Sequence, residues 1–179
     1  MPLAMSWKRR RGADADAPPQ TPTARVLCCT RLGHHPRMGR LILAPVGMQP
    51  GAVLAPLRTL AASDDELVLL CSPETKLFAQ RIAAGMKAQV RATRVEDFAS
   101  FVSSDRGRKL SGRDDLAIVA NGGHGRWLIE LADLAPRASW IESQGGRWTT
   151  MSPGGSSSGG PLTHLGVEPL LDLLNVGVE

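Results

Sequence analysis

From residue 41 onward, short runs of residues that are apolar on both faces alternate with amphipathic helical segments. The runs at residues 41–44, 67–71 and 116–120 consist of Leu, Ile, Val, Ala and Cys. A strand with two apolar faces has to be covered on both sides, as in a parallel sheet whose connecting helices lie against both faces. We therefore predict an α/β fold, a Rossmann-like, open, mostly parallel sheet with helices on both faces.

Proline and serine positions predict where the first two helices begin. Pro56 lacks an N–H group and fits the first turn of a helix, so the first helix is expected to begin near Ala52 or Val53. Ser72 followed by Pro73 makes a favourable N-cap and first helical residue, so the second helix is expected to follow Ser72 directly.

The rest of the chain predicts further elements, which end in a β-hairpin and a closing helix. In chain order these are a strand at 89–93, a short helix at 95–102, a strand at 116–120, a helix at 126–134, and strands at 138–142 and 147–150 joined across Gly145 and Gly146. Residues 152–161 are rich in Ser and Gly and are expected to form a flexible loop. Residues 167–174 are expected to close the domain as an amphipathic helix.

Residues 1–37 show no sustained periodicity and carry most of the positive charge. Residues 1–40 contain eight Lys and Arg and two acids, whereas residues 41–179 contain thirteen and fifteen. The first stretch has too little apolar surface to offset the entropy of ordering, so we expect a disordered basic leader followed by one domain at residues 38–179. The leader either contacts a polyanion or is a solvated arm, and Met38 is an alternative start that would leave it untranslated.

Cysteine content and hydropathy predict the compartment and exclude some partners. Three cysteines, two of them adjacent, form no disulfide framework and fit a reducing compartment, so we expect a cytoplasmic protein. No apolar run approaches the roughly 20 residues of a membrane helix, so no membrane partner is expected. Because the domain itself is slightly acidic, we expect no direct binding to DNA, and no motif predicts a cofactor.

Three loops follow the strands at the sheet edge where open α/β folds bind ligands. They cover residues 45–50, 71–76 and 121–126. The third, Asn-Gly-Gly-His-Gly-Arg, is the most informative, because glycines let a backbone approach a phosphate and Arg126 offers a bidentate donor. It matches neither Gly-x-Gly-x-x-Gly nor a Walker motif. Two interpretations stay open, a phosphate contact or glycines that only permit tight packing.

Metal and catalytic interpretations are poorly supported. The leader holds Cys-Cys at residues 28–29 and His-His at 34–35, but adjacent cysteines rarely wrap one tetrahedral ion, so no metal site is predicted. Cys71 ends a buried strand and is interpreted as part of the core. The Asp-Asp pairs at 64–65 and 114–115 precede strands and therefore lie at the opposite sheet edge from the loops. No catalytic residues are predicted.

Four segments together resemble a known family. They are Leu-Ile-Leu-Ala-Pro-Val-Gly-Met-Gln-Pro at 41–50, Leu-Val-Leu-Leu-Cys-Ser-Pro-Glu-Thr-Lys at 67–76, Leu-Ala-Ile-Val-Ala-Asn-Gly-Gly-His-Gly-Arg at 116–126, and Leu-Gly-Val-Glu-Pro-Leu-Leu-Asp-Leu-Leu at 165–174. In this order they resemble the CARF domain (CRISPR-associated Rossmann fold), above all the sensor domain of the Card/Can family of type III CRISPR ancillary effectors. The third segment stands in the place of that family's Thr-Gly-Gly-Thr-Lys motif.

The resemblance implies a ligand and an assembly. It implies a homodimer that binds cyclic tetra- or hexa-adenylate across its two-fold axis as a sensor in antiviral defence, with a separate effector protein as a further partner. Glycine-loop amides would contact phosphates, and polar side chains would read adenine and ribose. The implied ligand-binding residues are Gly47, Met48, Gln49, Ser72, Thr75, Lys76, Asn121, Gly122, Gly123, His124, Gly125 and Arg126.

The chain departs from the family's pattern at the third loop. Asn121 stands where Thr is usual, His124 where the second Thr is, and Gly125 replaces Lys, with Arg126 one position later. These departures leave the phosphate contacts and the ring size open. Such sensors normally precede an effector domain, for which the residues after Leu174 leave no room, so we expect either a stand-alone sensor or a fragment.

Two further interpretations stay open. A ring nuclease would align the 2′-OH of the ring with the adjacent phosphate and stabilise charge, with Lys76, His124 and Arg126 as helpers. Alternatively, the domain is an unrelated Rossmann-like nucleotide-binding module whose glycine loop is incidental.

Overall fold

The structure, a computed structural model, describes residues 39–166 and Pro169. Its strands are β1 (Leu41–Pro45), β2 (Glu66–Cys71), β3 (Ala92–Asp97), β4 (Leu116–Val119), β5 (Ser139–Gln144), β6 (Arg147–Met151) and β7 (Ser157–Pro161). Its α-helices are α1 (Pro50–Leu60), α2 (Lys76–Met86), α3 (Phe98–Ser103), α4 (Asp105–Arg108) and α5 (Gly125–Leu134), with a 3-10 helix at Lys109–Gly112. No helix in these residues is long and apolar enough to cross a membrane.

All of the strands belong to one open sheet in the order β3-β2-β1-β4-β5-β6-β7. The first five pair in parallel, and β6 and β7 extend the sheet in antiparallel fashion. The central strands β1 and β4 are buried at every position, because helices cover both faces. The prediction of a Rossmann-like, mostly parallel α/β sheet is confirmed.

A separate hydrophobic core lies on each face of the sheet. On one face, α1 and α2 pack against the sheet through residues such as Leu57 and Ile82. On the other, α3 and α5 pack through Phe101 and Leu131. Helix α1, which follows β1, and helix α5, which follows β4, therefore lie on opposite faces of the sheet. A crevice opens between them at the carboxyl ends of these two strands.

Both predicted helix starts are wrong by less than one turn. Helix α1 begins at Pro50 and contains Pro56 in its interior, because Pro50 is itself a suitable first residue. Helix α2 begins at Lys76, with Thr75 rather than Ser72 as the N-cap. A turn precedes it, in which the Thr75 N–H donates to the Ser72 carbonyl oxygen at 3.2 Å.

The third strand and the helix after it lie about three residues later than predicted. Strand β3 lies at the sheet edge, none of its residues is fully buried and three of its six residues are charged, so the apolar pattern of a central strand is absent. Asp97 marks the boundary, since its carboxylate accepts a hydrogen bond from the Ser100 N–H at 2.9 Å and caps α3.

The predicted hairpin is confirmed, but the predicted flexible loop is wrong. Strands β5 and β6 join at Gly145 and Gly146, whose φ angles of 57° and 75° suit a tight turn. Part of the stretch at 152–161 forms β7, which pairs with β6 along five positions. Ser and Gly residues can form this strand because the hydrogen bonds between β6 and β7 use main-chain groups. Gly160 lies against the Trp148 ring. The leader at 1–37 and most of the predicted closing helix at 167–174 lie outside the described residues.

Asp65, directly before β2, is buried and ties three chain segments together. Its carboxylate accepts hydrogen bonds from the backbone N–H groups of Arg40 and Ala62, both at 2.9 Å, and lies 3.0 Å from the Arg40 guanidinium. That guanidinium also donates to the Leu60 carbonyl oxygen at 2.9 Å. Burial raises the pKa of Asp65, but the hydrogen bonds from Arg40 and Ala62 outweigh burial and the net pKa is lowered.

We predict that Asp65→Asn lowers the free energy of unfolding by about 2–4 kcal/mol, because it leaves a partly buried guanidinium without its counter-charge. Urea denaturation at pH 7 measures this. The matched control is Asp114→Asn, which removes an exposed partner of Arg137 and is expected to change stability by less than about 1 kcal/mol. Equal effects of the two substitutions would contradict the role given to Asp65.

The same cluster predicts a pH dependence. A carboxylate with a lowered folded pKa stabilises the fold above its unfolded pKa of about 3.9, and this stability is lost as the pH falls through the folded pKa. The stability difference between wild type and Asp65→Asn should therefore shrink below about pH 4.

Candidate functional site

The carboxyl ends of β1, β2 and β4 border an open cleft of about 450 Å³. Strand β1 lies between β2 and β4, and the chain leaves β1 toward α1 on one face and β4 toward α5 on the other. Helices that diverge in this way open a crevice at the switch point of the sheet, where α/β folds bind ligands.

Nine of the twelve predicted ligand-binding residues line this cleft. They come from all three loops and are Gly47, Met48, Gln49, Ser72, Thr75, Asn121, Gly122, Gly123 and His124. The structure therefore brings the three predicted loops together. The binding role of these residues stays a prediction.

The other three predicted residues lie outside the lining of the cleft. Arg126 is 83% exposed and pairs with Glu130, one turn further along α5, at 3.0 Å. Gly125 is the first residue of α5. Lys76 lines a neighbouring cavity of about 250 Å³. Of the three helpers named for a ring nuclease, His124 alone lines the cleft.

Val46, Glu74 and Trp127 also line the cleft, although the sequence did not predict them. Trp127 follows His124 by three residues, a helical spacing that places both at the same end of α5 and could have identified it. Its ring stacks on Phe98 with centroids 4.4 Å apart and planes 7° apart. This stacking fixes an aromatic surface at the wall of the cleft.

Glycines allow the loop after β1 to pack directly on the loop after β4. A Cβ on Gly47 would overlap the carbonyl oxygen of Gly122, and a Cβ on Gly122 would overlap Val53 and the Pro45 carbonyl oxygen. A Cβ on Gly123 would lie 2.5 Å from the Cβ of Pro45. The structure thus gives the glycine loop a packing role, and the phosphate contact stays a prediction.

Three helices direct their amino ends toward the cleft. The N-cap residues of α1, α2 and α5 are Gln49, Thr75 and His124, and all three line it. Within the described residues, none of these side chains makes a capping hydrogen bond to its own helix. The N–H groups of Ala52 and Trp127 donate to the carbonyl oxygens of Gln49 and His124, the N-cap residues of their own helices. The positive ends of the three helix dipoles nevertheless lie at the cleft and favour an anion there.

Asn121 anchors the third loop to the neighbouring strand. Its Nδ2 donates to the carbonyl oxygen of Ser143 at 2.7 Å, and the Ser143 N–H donates to its Oδ1 at 2.6 Å. The side-chain amide thus takes the place of a strand residue beside β5.

Ser72 and Glu74 form a polar wall at the start of α2. The Ser72 N–H donates to Oγ1 of Thr75 at 3.1 Å. A hydrogen bond from the Ser72 side chain lowers the pKa of Glu74. Glu74 is exposed and ionised at neutral pH, and it adds a negative charge at a cleft that three helix ends make attractive to anions.

Cys71 is buried at the end of β2, as predicted, and borders the neighbouring cavity. Burial raises the pKa of its thiol, and the charge of Asp97 raises it further, so the thiol is protonated at neutral pH and is a poor nucleophile. In the described part of the chain, no group of three or more His, Cys, Asp or Glu could hold a metal ion. The leader's Cys-Cys and His-His pairs lie outside that part.

We predict that Gly122→Ala destabilises the fold by about 1–3 kcal/mol, because the new methyl group overlaps main-chain and side-chain atoms of the first loop. Thermal denaturation of the purified variant measures the effect. Gly125→Ala is the control: its Cβ would meet nothing within 4 Å, and Ala favours the helix that begins there. A variant Gly122→Ala as stable as wild type would contradict the packing role.

No family model and no curated protein matches the chain. Among solved structures, its fold is similar to that of Can2 from Sulfobacillus thermosulfidooxidans in complex with cyclic tetra-adenylate, with a TM-score of 0.50 and 13% sequence identity. The match covers 76% of this chain and 41% of the Can2 chain, so this chain spans less than half of that protein's length. At this identity the likeness is one of fold, and it supports the Rossmann-like α/β architecture described above.

Proposed function

We propose that this protein binds a cyclic oligoadenylate, the tetra- or hexa-adenylate ring, in the cleft at the carboxyl ends of β1, β2 and β4. The observation that carries the proposal is the convergence of three uncapped helix amino ends on one cleft. Such a site favours several phosphate groups held near one another, because the positive end of each helix dipole attracts one anion. The fold likeness to a protein bound to cyclic tetra-adenylate supports the choice of ligand class.

The remaining lining suits the base and the sugar. Met48 and Trp127 give the cleft apolar and aromatic surface against which an adenine ring can pack. The exposed side chain of Gln49 supplies a donor and an acceptor beside that surface for base edges or the ribose 2′-OH. Phosphate, base and sugar thus each have suitable partners in one place.

The size of the cleft favours a shared site. A volume of about 450 Å³ lies within the roughly 300–1,000 Å³ that encloses one drug-sized ligand. A ring of four or six adenylates is several times larger than such a ligand. A two-fold homodimer that presents the same cleft twice would accommodate a ring whose own symmetry matches it. The proposed role is that of a homodimeric sensor in type III CRISPR antiviral defence.

The first test is the binding of cyclic tri-, tetra- and hexa-adenylate, with linear oligoadenylate and ATP as controls. At about 100 times its Kd, a ring should add about 2.7 kcal/mol of stability and raise the melting temperature by several degrees. Sedimentation equilibrium should give one ring per two chains. No stabilisation by any ring would contradict the proposal, and the release of linear products would favour a ring nuclease instead.

A second prediction localises the site. His124→Ala is expected to weaken ring binding about ten-fold, because it removes a polar side chain from the lining of the cleft. The control is His164→Ala, an exposed histidine near the far end of α1, where the neighbouring Thr163 N–H donates to Thr59. Titration calorimetry measures both variants. Equal losses in the two variants would place the ring elsewhere.

A further inference from the structure

The cleft combines three helix ends that attract anions with one side chain that repels them. Glu74 carries the only carboxylate among the described residues that line the cleft. Ser72, which donates a hydrogen bond to this carboxylate, is neutral and therefore does not cancel its negative charge. This negative charge lies next to Thr75, the N-cap of α2, and it weakens the binding of phosphate there. A site selected only for tight binding of phosphate would therefore lack it.

The attraction of a helix end for an anion grows with the charge of that anion. A terminal phosphomonoester carries close to two negative charges at neutral pH, since its second pKa is about 6, whereas a phosphodiester carries one. Helix ends alone would therefore favour linear nucleotides with terminal phosphates over a ring made only of phosphodiesters. The proposed sensor needs the opposite preference, because ordinary nucleotides have terminal phosphates.

We propose that Glu74 contributes to this specificity, a role that rests on the proposed function: its carboxylate shifts the preference of the cleft away from terminal phosphomonoesters and toward phosphodiesters. Repulsion between like charges scales with the charge of the ligand, so Glu74 penalises a dianion about twice as strongly as a monoanion. Discrimination by a repulsive group is a general means of rejecting a close competitor. It leaves the three helix ends free to bind the diester groups.

The carboxylate also has a structural effect that must be separated from this role. An acid beside the amino end of α2 stabilises that helix, so Glu74→Gln is expected to lower the melting temperature slightly. A structural role would change the binding of all nucleotides by the same factor. A specificity role changes the ratio between two ligands that differ only in a terminal phosphate.

The test uses the full chain and three probes: cyclic tetra-adenylate and two linear tetra-adenylates, one with and one without a terminal phosphate. In Glu74→Gln, we expect the affinity for the phosphorylated linear probe to rise about five-fold relative to the unphosphorylated one. The gain should shrink at high salt, because ions screen the repulsion. The matched control is Glu142→Gln, which removes an exposed carboxylate on β5 outside the lining of the cleft.

The outcomes separate the two proposals. An unchanged ratio between the linear probes in Glu74→Gln, or the same change in Glu142→Gln, overturns the role of Glu74 and leaves ring binding standing. A wild type that binds the linear probes but not the ring overturns the proposed function, while the ratio still reports on Glu74. A wild type that binds none of the probes overturns both.

Discussion

The cleft depends on a direct backbone contact between the loops that leave β1 and β4. Burial on both faces places the two strands side by side, and the absence of a Cβ at Gly47 and Gly122 lets their loops touch. This contact sets the separation between the amino ends of α1 and α5. With a side chain in between, the helix ends would lie further apart, and the field that they create together would weaken with distance.

The helix ends at the cleft differ from those elsewhere in the fold. Away from it, Asp97 caps α3 and Ser104 caps α4, each accepting a hydrogen bond from a backbone N–H of the first turn. At the cleft, Gln49, Thr75 and His124 make no such bond. A missing cap costs about 0.5–2 kcal/mol, so three of them are a considerable loss of stability. The two hydrophobic cores offset that loss.

The central sheet could be predicted because burial on both faces is visible in composition, as in the runs at 67–71 and 116–120. The edge strands were harder to predict: β3 was expected about three residues too early and β7 was expected as a loop, because both owe their pairing to partner strands rather than to their own apolar residues. The three loops that form the site could be predicted, because their position at the carboxyl ends of the strands follows from the sheet topology. Single side chains were harder to predict: Arg126 was chosen for its charge, whereas the three-residue spacing from His124 favours Trp127, and Trp127 is the one that lines the cleft.

Both edges of the sheet are poor templates for a further strand. Strand β3 presents charged residues such as Arg94, and β7 ends in Gly159, Gly160 and Pro161, of which glycine disfavours strands and proline lacks the donor that a new strand would need. The fold thereby resists edge-to-edge aggregation and amyloid-like growth at both ends of the sheet. Any specific association of two copies is left to helices and loops, and the loops at the carboxyl edge carry exposed Met48 beside the cleft.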